Sequence, residues 1–431
     1  MAEDATSPDA SRVGASAWSA LVVLVLVCLV NFMDRQLFAV LQESIRVDLD
    51  LSDSQLALLG GTMFAVFYAT LGVPIAWAAD RTNRIRLIAI ACAVWSLFTA
   101  LSGFAQNFIQ MALARIGVAT GEAGGISPSY SVLSDYFPAS RRGFAIGVFT
   151  VGAPLGVMVG TFLGAMIADA LSWRWAFVLL GLPGLLLAGG LFIFIREPRR
   201  GRYDAPAKAG AIKGNPLTVL KLVASTPSLL LLTLGAAMAS FAGYAMIQWI
   251  PSFLQRSQGL DLGQVQIFLS PLFLLGIFGA IGGGWLADRF GHKTPAAYAL
   301  VPACSIGLSA PFFLAAIMVG NGMISLVFLA LPIMLGYAWV GPMLAAAQTL
   351  TPPNMRATVA AIIGFFNNLI GIGLGPLFVG IISDSLAPDL GEGEALRVAL
   401  MFGVSAFAVA AGLFVAASFT LKRDLARMTK A

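Results

Sequence analysis

Long uncharged apolar runs, separated by short charged or Pro/Gly-rich stretches, fill almost the whole chain. A helix needs about 20 apolar residues to cross a bilayer. With the charges and Pro/Gly clusters taken as boundaries, the pattern predicts twelve such spans: residues 17–41, 54–79, 87–106, 108–134, 143–168, 174–195, 227–255, 262–287, 294–319, 322–350, 357–383 and 398–421. The expectation is therefore an all-α integral membrane protein. Composition agrees: of 431 residues 58% are hydrophobic and only 11% charged, with a mean hydropathy of +0.87. A soluble domain has about a quarter of its residues charged.

The charges that remain are sorted by side. If both termini lie in the cytoplasm, 20 of the 26 Lys and Arg fall in cytoplasmic segments, while the outer loops carry acids such as Glu43, Asp48, Asp53, Asp384 and Glu392. This is the positive-inside distribution, and it accounts for the net charge of +5 without invoking nucleic acid. The apolar run that begins near residue 17 is too long for a signal-peptide core and reads as a retained first span. The Ala/Gly-rich, short-looped chain suggests a bacterial inner (plasma) membrane, with both termini cytoplasmic and the protein acting as a monomer.

Residues 196–216, REPRRGRYDAPAKAGAIKGNP, interrupt the pattern and divide the chain. The predicted organisation is a tail at 1–16, six spans in 17–195, a linker at 196–226, six spans in 227–421 and a tail at 422–431. The halves share landmarks. Ala79-Asp80-Arg81 after span 2 matches Ala287-Asp288-Arg289 after span 8, 208 residues on, and Arg141 after span 4 matches Arg356 after span 10, 215 residues on. Two matched landmarks at nearly one period indicate duplicated six-helix halves.

These residues also carry a resemblance. Gly284-Trp-Leu-Ala-Asp288-Arg289-Phe-Gly291-His-Lys293 resembles the loop motif of the major facilitator superfamily, with a first-half copy in which Ala76 and Asn83 replace glycines. NFMDR in span 1, ADRTNR after span 2 and RIGVATGEAGGISPSYSVLSDYFPASRR at 115–142 together look like the spinster group of lysolipid transporters; the Gly-Glu-Ala piece alone also occurs in organic-anion symporters. The resemblance implies two pseudo-symmetric six-helix bundles around a central cavity beside spans 1 and 4. It also implies that Asp80, Arg81, Arg84, Arg141, Asp288, Arg289 and Arg356 form a cytoplasmic gate.

Four charges interrupt the spans: Asp34 and Arg35 in span 1, and Arg115 and Glu122 in span 4. A charge at bilayer depth is costly and ordinarily faces a cavity or a partner. Counted from the helix ends at 1.5 Å per residue, Asp34 and Arg115 lie at equal depth, which permits pairing, with Glu122 about 10 Å deeper. A carboxylate that alternates between wet, Arg-paired and dry surroundings can load and release a proton. Asp34 and Glu122 are accordingly expected to carry protons, and Arg35 and Arg115 to hold an anionic headgroup or act as counter-charge. Static ion pairing or snorkelling to the headgroups would be the bland alternative. The second half offers no charge between Lys293 and Arg356. Its polar and aromatic residues Tyr244, Gln248, Tyr337 and Asn367 are candidates for the cavity wall, near helix breaks at Pro251 and Gly341-Pro342.

A cavity charged on one wall and apolar on the other suits an amphiphile carried with protons by alternating access, with a small organic anion as the alternative substrate. A channel would need polar residues through both halves. An enzyme would need a nucleophile–base or metal constellation, for which one histidine (His292) and three scattered cysteines are poor material. No cofactor and no metal are expected.

Overall fold

The computed structural model describes residues 14–79, 81–200, 202, 216–352 and 355–428, and among these there is no strand. Eleven helices are long and apolar enough to cross a membrane. The remaining span, the fourth, is broken into Phe108–Glu122 and Ile126–Tyr136 by a turn at 123–125. The twelve spans of the sequence pattern are all present.

Charge proved a poor guide to where helices stop. Span 1 runs Ala15–Leu49, past Glu43 and Arg46, and ends where Asp50 takes a left-handed conformation (φ 50°). At 1.5 Å per residue its 35 residues reach about 52 Å, well beyond a hydrocarbon core of about 30 Å. Span 12 likewise extends over Glu392–Met428. Charged ends of this kind stand clear of the lipid, so the helix has no reason to end with the apolar run. The linker holds a short helix, Pro216–Ser225, which buries Val219 and Val223 and exposes Leu217 and Lys221.

The duplication is visible in the local geometry. Spans 2 and 8 each open with a capping box, Ser52 with Gln55 and Asp261 with Gln264, in which side chain and backbone satisfy each other's orphan donors. Each then passes through a π-helical stretch, Leu58–Thr62 and Val265–Leu269, 207 residues apart. Packing repeats as well. Gly160 of span 5 lies against the carbonyl of Met33 in span 1, where a Cβ would come within 2.6 Å. Gly375 of span 11 lies against the carbonyl of Phe241 in span 7, where a Cβ would come within 2.3 Å. The glycines are 215 residues apart and their partners 208, the two periods already seen in the loops. Glycine at these points lets backbones meet at distances no side chain permits.

Ties between the bundles cluster on the face bearing the acidic loops, here the acidic face; the helix Pro216–Ser225 and the ends of spans 1 and 12 at Ala15 and Met428 lie on the opposite, basic face. Gln42 donates to the Gln248 carbonyl (2.9 Å) and to Ser252 (2.8 Å). Arg256 is paired with Glu43 and with Asp53 (2.8 Å), and Arg46 with Glu392 (2.7 Å). Asp384, near the end of span 11, accepts from the backbone N–H groups of Asp53 and Ser54 (2.8 Å each), where the helix N-terminus favours a carboxylate.

Candidate functional site

Between the bundles lies a cavity of about 580 Å³. Spans 1, 2, 4 and 5 supply one wall, and spans 7 to 12 the other. Among the described residues that line it, Arg35 is the one with a charge. Its guanidinium is framed by the rings of Phe32 (5.4 Å), Phe64 (4.6 Å) and Tyr68 (5.0 Å), whose faces attract cations. Its Nε is 2.5 Å from the Glu122 carboxylate, which is fully buried behind it. Tyr244 lines the same cavity from the other bundle. Span 1 brings Arg35 to the wall because the helix continues without a break through its charged pair. Glu122 reaches it because span 4 breaks immediately after that residue.

The other two intramembrane charges sit apart. Asp34 is fully buried; one carboxylate oxygen accepts from Thr99 at 3.1 Å and the other has no partner among the described residues. Arg115 is 2% exposed, stacks near Phe38 (4.9 Å) and Phe64 (5.7 Å), and donates to the Leu59 carbonyl at 3.4 Å. The pairing expected from depth, Asp34 with Arg115, is not formed: the ion pair joins Arg35 to Glu122. Depth counted from span ends ignores the turn at 123–125 and the direction each side chain takes. The wall position expected for both arginines belongs to Arg35, and Arg115 lies behind it.

Tyr244, Gln248, Tyr337 and Asn367 all line the cavity. Tyr337 is seated in a notch at Gly276, where a Cβ would come within 2.5 Å of its ring, and Tyr244 beside Gly371. Gln248 has a second duty in the closure of the acidic face, donating to the Leu56 carbonyl at 3.5 Å while its own carbonyl accepts from Gln42. Beyond the tyrosines the cavity turns apolar and reaches Phe273, Ile306, Phe313 and Phe407, the last two stacked with ring centroids 5.3 Å apart. Asn368 lines it beside Asn367, and so does Gln36, which escaped the sequence reading of the site because it neither carries a charge nor marks a helix break.

Among the described side chains expected to gate the basic face, none is seen bonded across the bundles. Arg84 is buried within the first bundle, bound to Asp135 (2.5 Å) and Glu197 (2.6 Å) and to the Ser131 and Pro198 carbonyls. Asp288 accepts from Tyr298 at 2.8 Å, within its own bundle. Arg81 and Arg289 lie over Trp77 and Trp285, and Arg141 is exposed. Arg356 opens the helix Arg356–Phe366, and Asp80 lies outside the described residues. The residues that do bridge the bundles, Glu43, Arg46, Asp53, Arg256, Asp384 and Glu392, escaped the sequence reading. Their one signal was arginine on an otherwise acidic face.

Comparison with known proteins fits this architecture. The sequence profile of the major facilitator superfamily matches residues 24–376. An MFS-type efflux pump of Mycolicibacterium smegmatis is 34% identical over 95% of this chain and 94% of its own length. Protein spinster homolog 1 of Xenopus tropicalis is 28% identical over 94% of this chain and 81% of its own. A crystal structure of a bacterial homolog of the human lysosomal transporter spinster, in an inward-facing and unoccupied conformation, superposes with a TM-score of 0.86 at 29% identity, covering 95% of this chain and 98% of that one. With twelve spans in two bundles about a central cavity, and with the profile matched over most of its length, the chain belongs to the major facilitator superfamily of membrane transporters.

Proposed function

We propose that this protein is a proton-coupled transporter of an amphiphile, a lysophospholipid or related single-chain lipid, working by alternating access with its basic face in the cytoplasm of a bacterial cell. One observation carries the reading: a cavity of about 580 Å³ in which Arg35 is the charged lining residue and the other bundle contributes, beside its polar groups, Phe273, Ile306, Phe313 and Phe407. That volume far exceeds what a small organic anion fills, and the apolar end would leave such an anion with nothing to bind. An anionic headgroup at Arg35 and an acyl chain along Phe273, Ile306, Phe313 and Phe407 use both ends.

Coupling follows from charge balance. Arg35 serves Glu122 in the structure, and a headgroup that draws Arg35 away leaves a buried carboxylate without its counter-ion. In low dielectric such a group is neutralised rather than left charged, so headgroup arrival and proton uptake are linked. Asp34, fully buried beside Thr99, is the second proton site. The closed acidic face and the superposition on an inward-facing spinster homolog both support a state open to the cytoplasm.

The test is internal pH in proteoliposomes holding the purified protein, with lysophospholipid added in one series and small organic anions in another. Lysophospholipid should evoke a proton flux that Asp34→Asn abolishes while the variant remains folded. Flux evoked by small anions alone would sink the lipid reading, and unchanged flux in Asp34→Asn would remove Asp34 from the proton path.

A further inference from the structure

Spans 2 and 11 each depart from α-helix at the height of the cavity, at Leu58–Thr62 and Asn367–Leu374. The two stretches lie against each other. Gly61 brings the span 2 backbone so near span 11 that a Cβ there would come within 2.6 Å of the Ile372 carbonyl. Beside it the Thr62 hydroxyl donates to the Gly373 carbonyl at 2.5 Å. A π-helix bonds residue i to i+5 and so fits more residues into each turn, and it is rare outside functional places. In span 11 the wide turn begins at the cavity: Asn367 and Asn368, its first two residues, both line it. The Asn367 Oδ1 has no hydrogen-bond partner among the described residues, in a cavity whose other polar lining includes Arg35, Ser240, Asn368, three tyrosines and two glutamines.

We propose that Thr62 is a positioning residue for substrate. Its bond to the Gly373 carbonyl holds the wide turn of span 11, which presents Asn367 and Asn368 together as the neutral polar part of the headgroup site. The ligand class this selects is one with hydroxyl or ester oxygens next to its anionic group, as in a glycerophosphate headgroup. The proposal rests on the amphiphile reading for the ligand, but its structural half stands independently. The same bond joins the two bundles, so it parts when they separate at the acidic face. Span 11 is then released from the wide turn, and the asparagine contacts belong to the state open at the basic face.

The experiment places a cysteine at the wall (Asn367→Cys) in a chain whose exposed Cys304 is replaced by alanine; Cys28 and Cys92 are buried. Maleimide labelling in proteoliposomes is then timed with threonine, valine or serine at position 62. Thr62→Val keeps the shape and removes the donor, and labelling should slow severalfold; Thr62→Ser keeps the donor, and labelling should match the parent. Gly373→Ala, whose Cβ would meet Ala65 at 3.3 Å and the Asn368 carbonyl at 4.0 Å, disturbs the same contact from the other side and should also slow labelling, so the test survives if Thr62→Val fails to fold. Equal rates in all backgrounds, or slowing in Thr62→Ser as well, would overturn the assignment. In the chain with Asn367 intact, uptake of radiolabelled lysophosphatidylglycerol supplies the second readout. Thr62→Val should raise the half-saturating concentration about fivefold, the weight of one ordinary hydrogen bond, with the maximal rate retained and Thr62→Ser normal. A fall in maximal rate alone would make Thr62 a hinge and overturn the positioning role. No uptake in any variant, with the labelling pattern as expected, would refute the lipid substrate and leave Thr62's structural role in place.

Discussion

Arg35 is held by one carboxylate and three aromatic rings, and in the proposed cycle it is the residue on which headgroup and proton both depend. The pair with Glu122 is largely out of water, so losing one member leaves the other uncompensated. Arg35→Gln should lower stability by about 3–5 kcal/mol, read as a lowered melting temperature in detergent. Combining it with Glu122→Gln should recover most of that loss, because an amide pair demands no counter-ion. A double variant as unstable as the single would mean that the two charges are not coupled. The four charges of this site were legible in the sequence because charge in an apolar run is conspicuous. Their pairing was not. Helix ends give depth, but the Arg35–Glu122 bond depends on the break after Glu122 and on which way two adjacent side chains on span 1 face.

Helices met the expectation in number and order, since twenty apolar residues announce a span whatever surrounds it. Their ends and their internal departures from α geometry did not show. Span 1 outruns its apolar segment, the linker hides the helix Pro216–Ser225, and the π stretches of spans 2, 8 and 11 share no sequence pattern: two hold glycines, which are common in membrane helices, and the third, Val265–Leu269, holds none. Among the glycines of spans 5 and 11, the structure says which ones matter. Gly160→Ala and Gly375→Ala would each drive a methyl into a carbonyl of the neighbouring span, and should destabilise by about 1–3 kcal/mol. Gly147→Ala and Gly364→Ala meet nothing within 4 Å, so they should be neutral or stabilising by up to about 1 kcal/mol, the ordinary helix preference for alanine over glycine. Thermal unfolding of the four variants decides it. Equal effects at crowded and open positions would show that helix propensity, not span contact, sets the glycine requirement.

For the molecule as a whole, the two faces are unequal: polar ties gather at the acidic face, while at the basic face Arg84 and Asp288 bond within their own bundles and Arg81 and Arg289 lie on tryptophans. Transport by alternating access requires this asymmetry to reverse once per cycle, so the closure must break. Gln42 and Ser252 meet at its centre, 2.8 Å apart, one from each bundle, and neither carries charge, so replacing both removes no ion pair. With Gln42→Cys and Ser252→Cys in a chain lacking Cys304, a short thiol-reactive cross-linker should fix the bundles together at that face. Substrate uptake should stop when the link forms and return when it is reduced, while each single variant, which cannot be linked, continues to transport under the same treatment. Substrate binding, measured with the link in place, should persist, because the cavity wall is complete in the closed-face state. Uptake that continues at full cross-linking would mean that substrate passes without the bundles separating at the acidic face. The array of ties there would then be scaffold rather than gate.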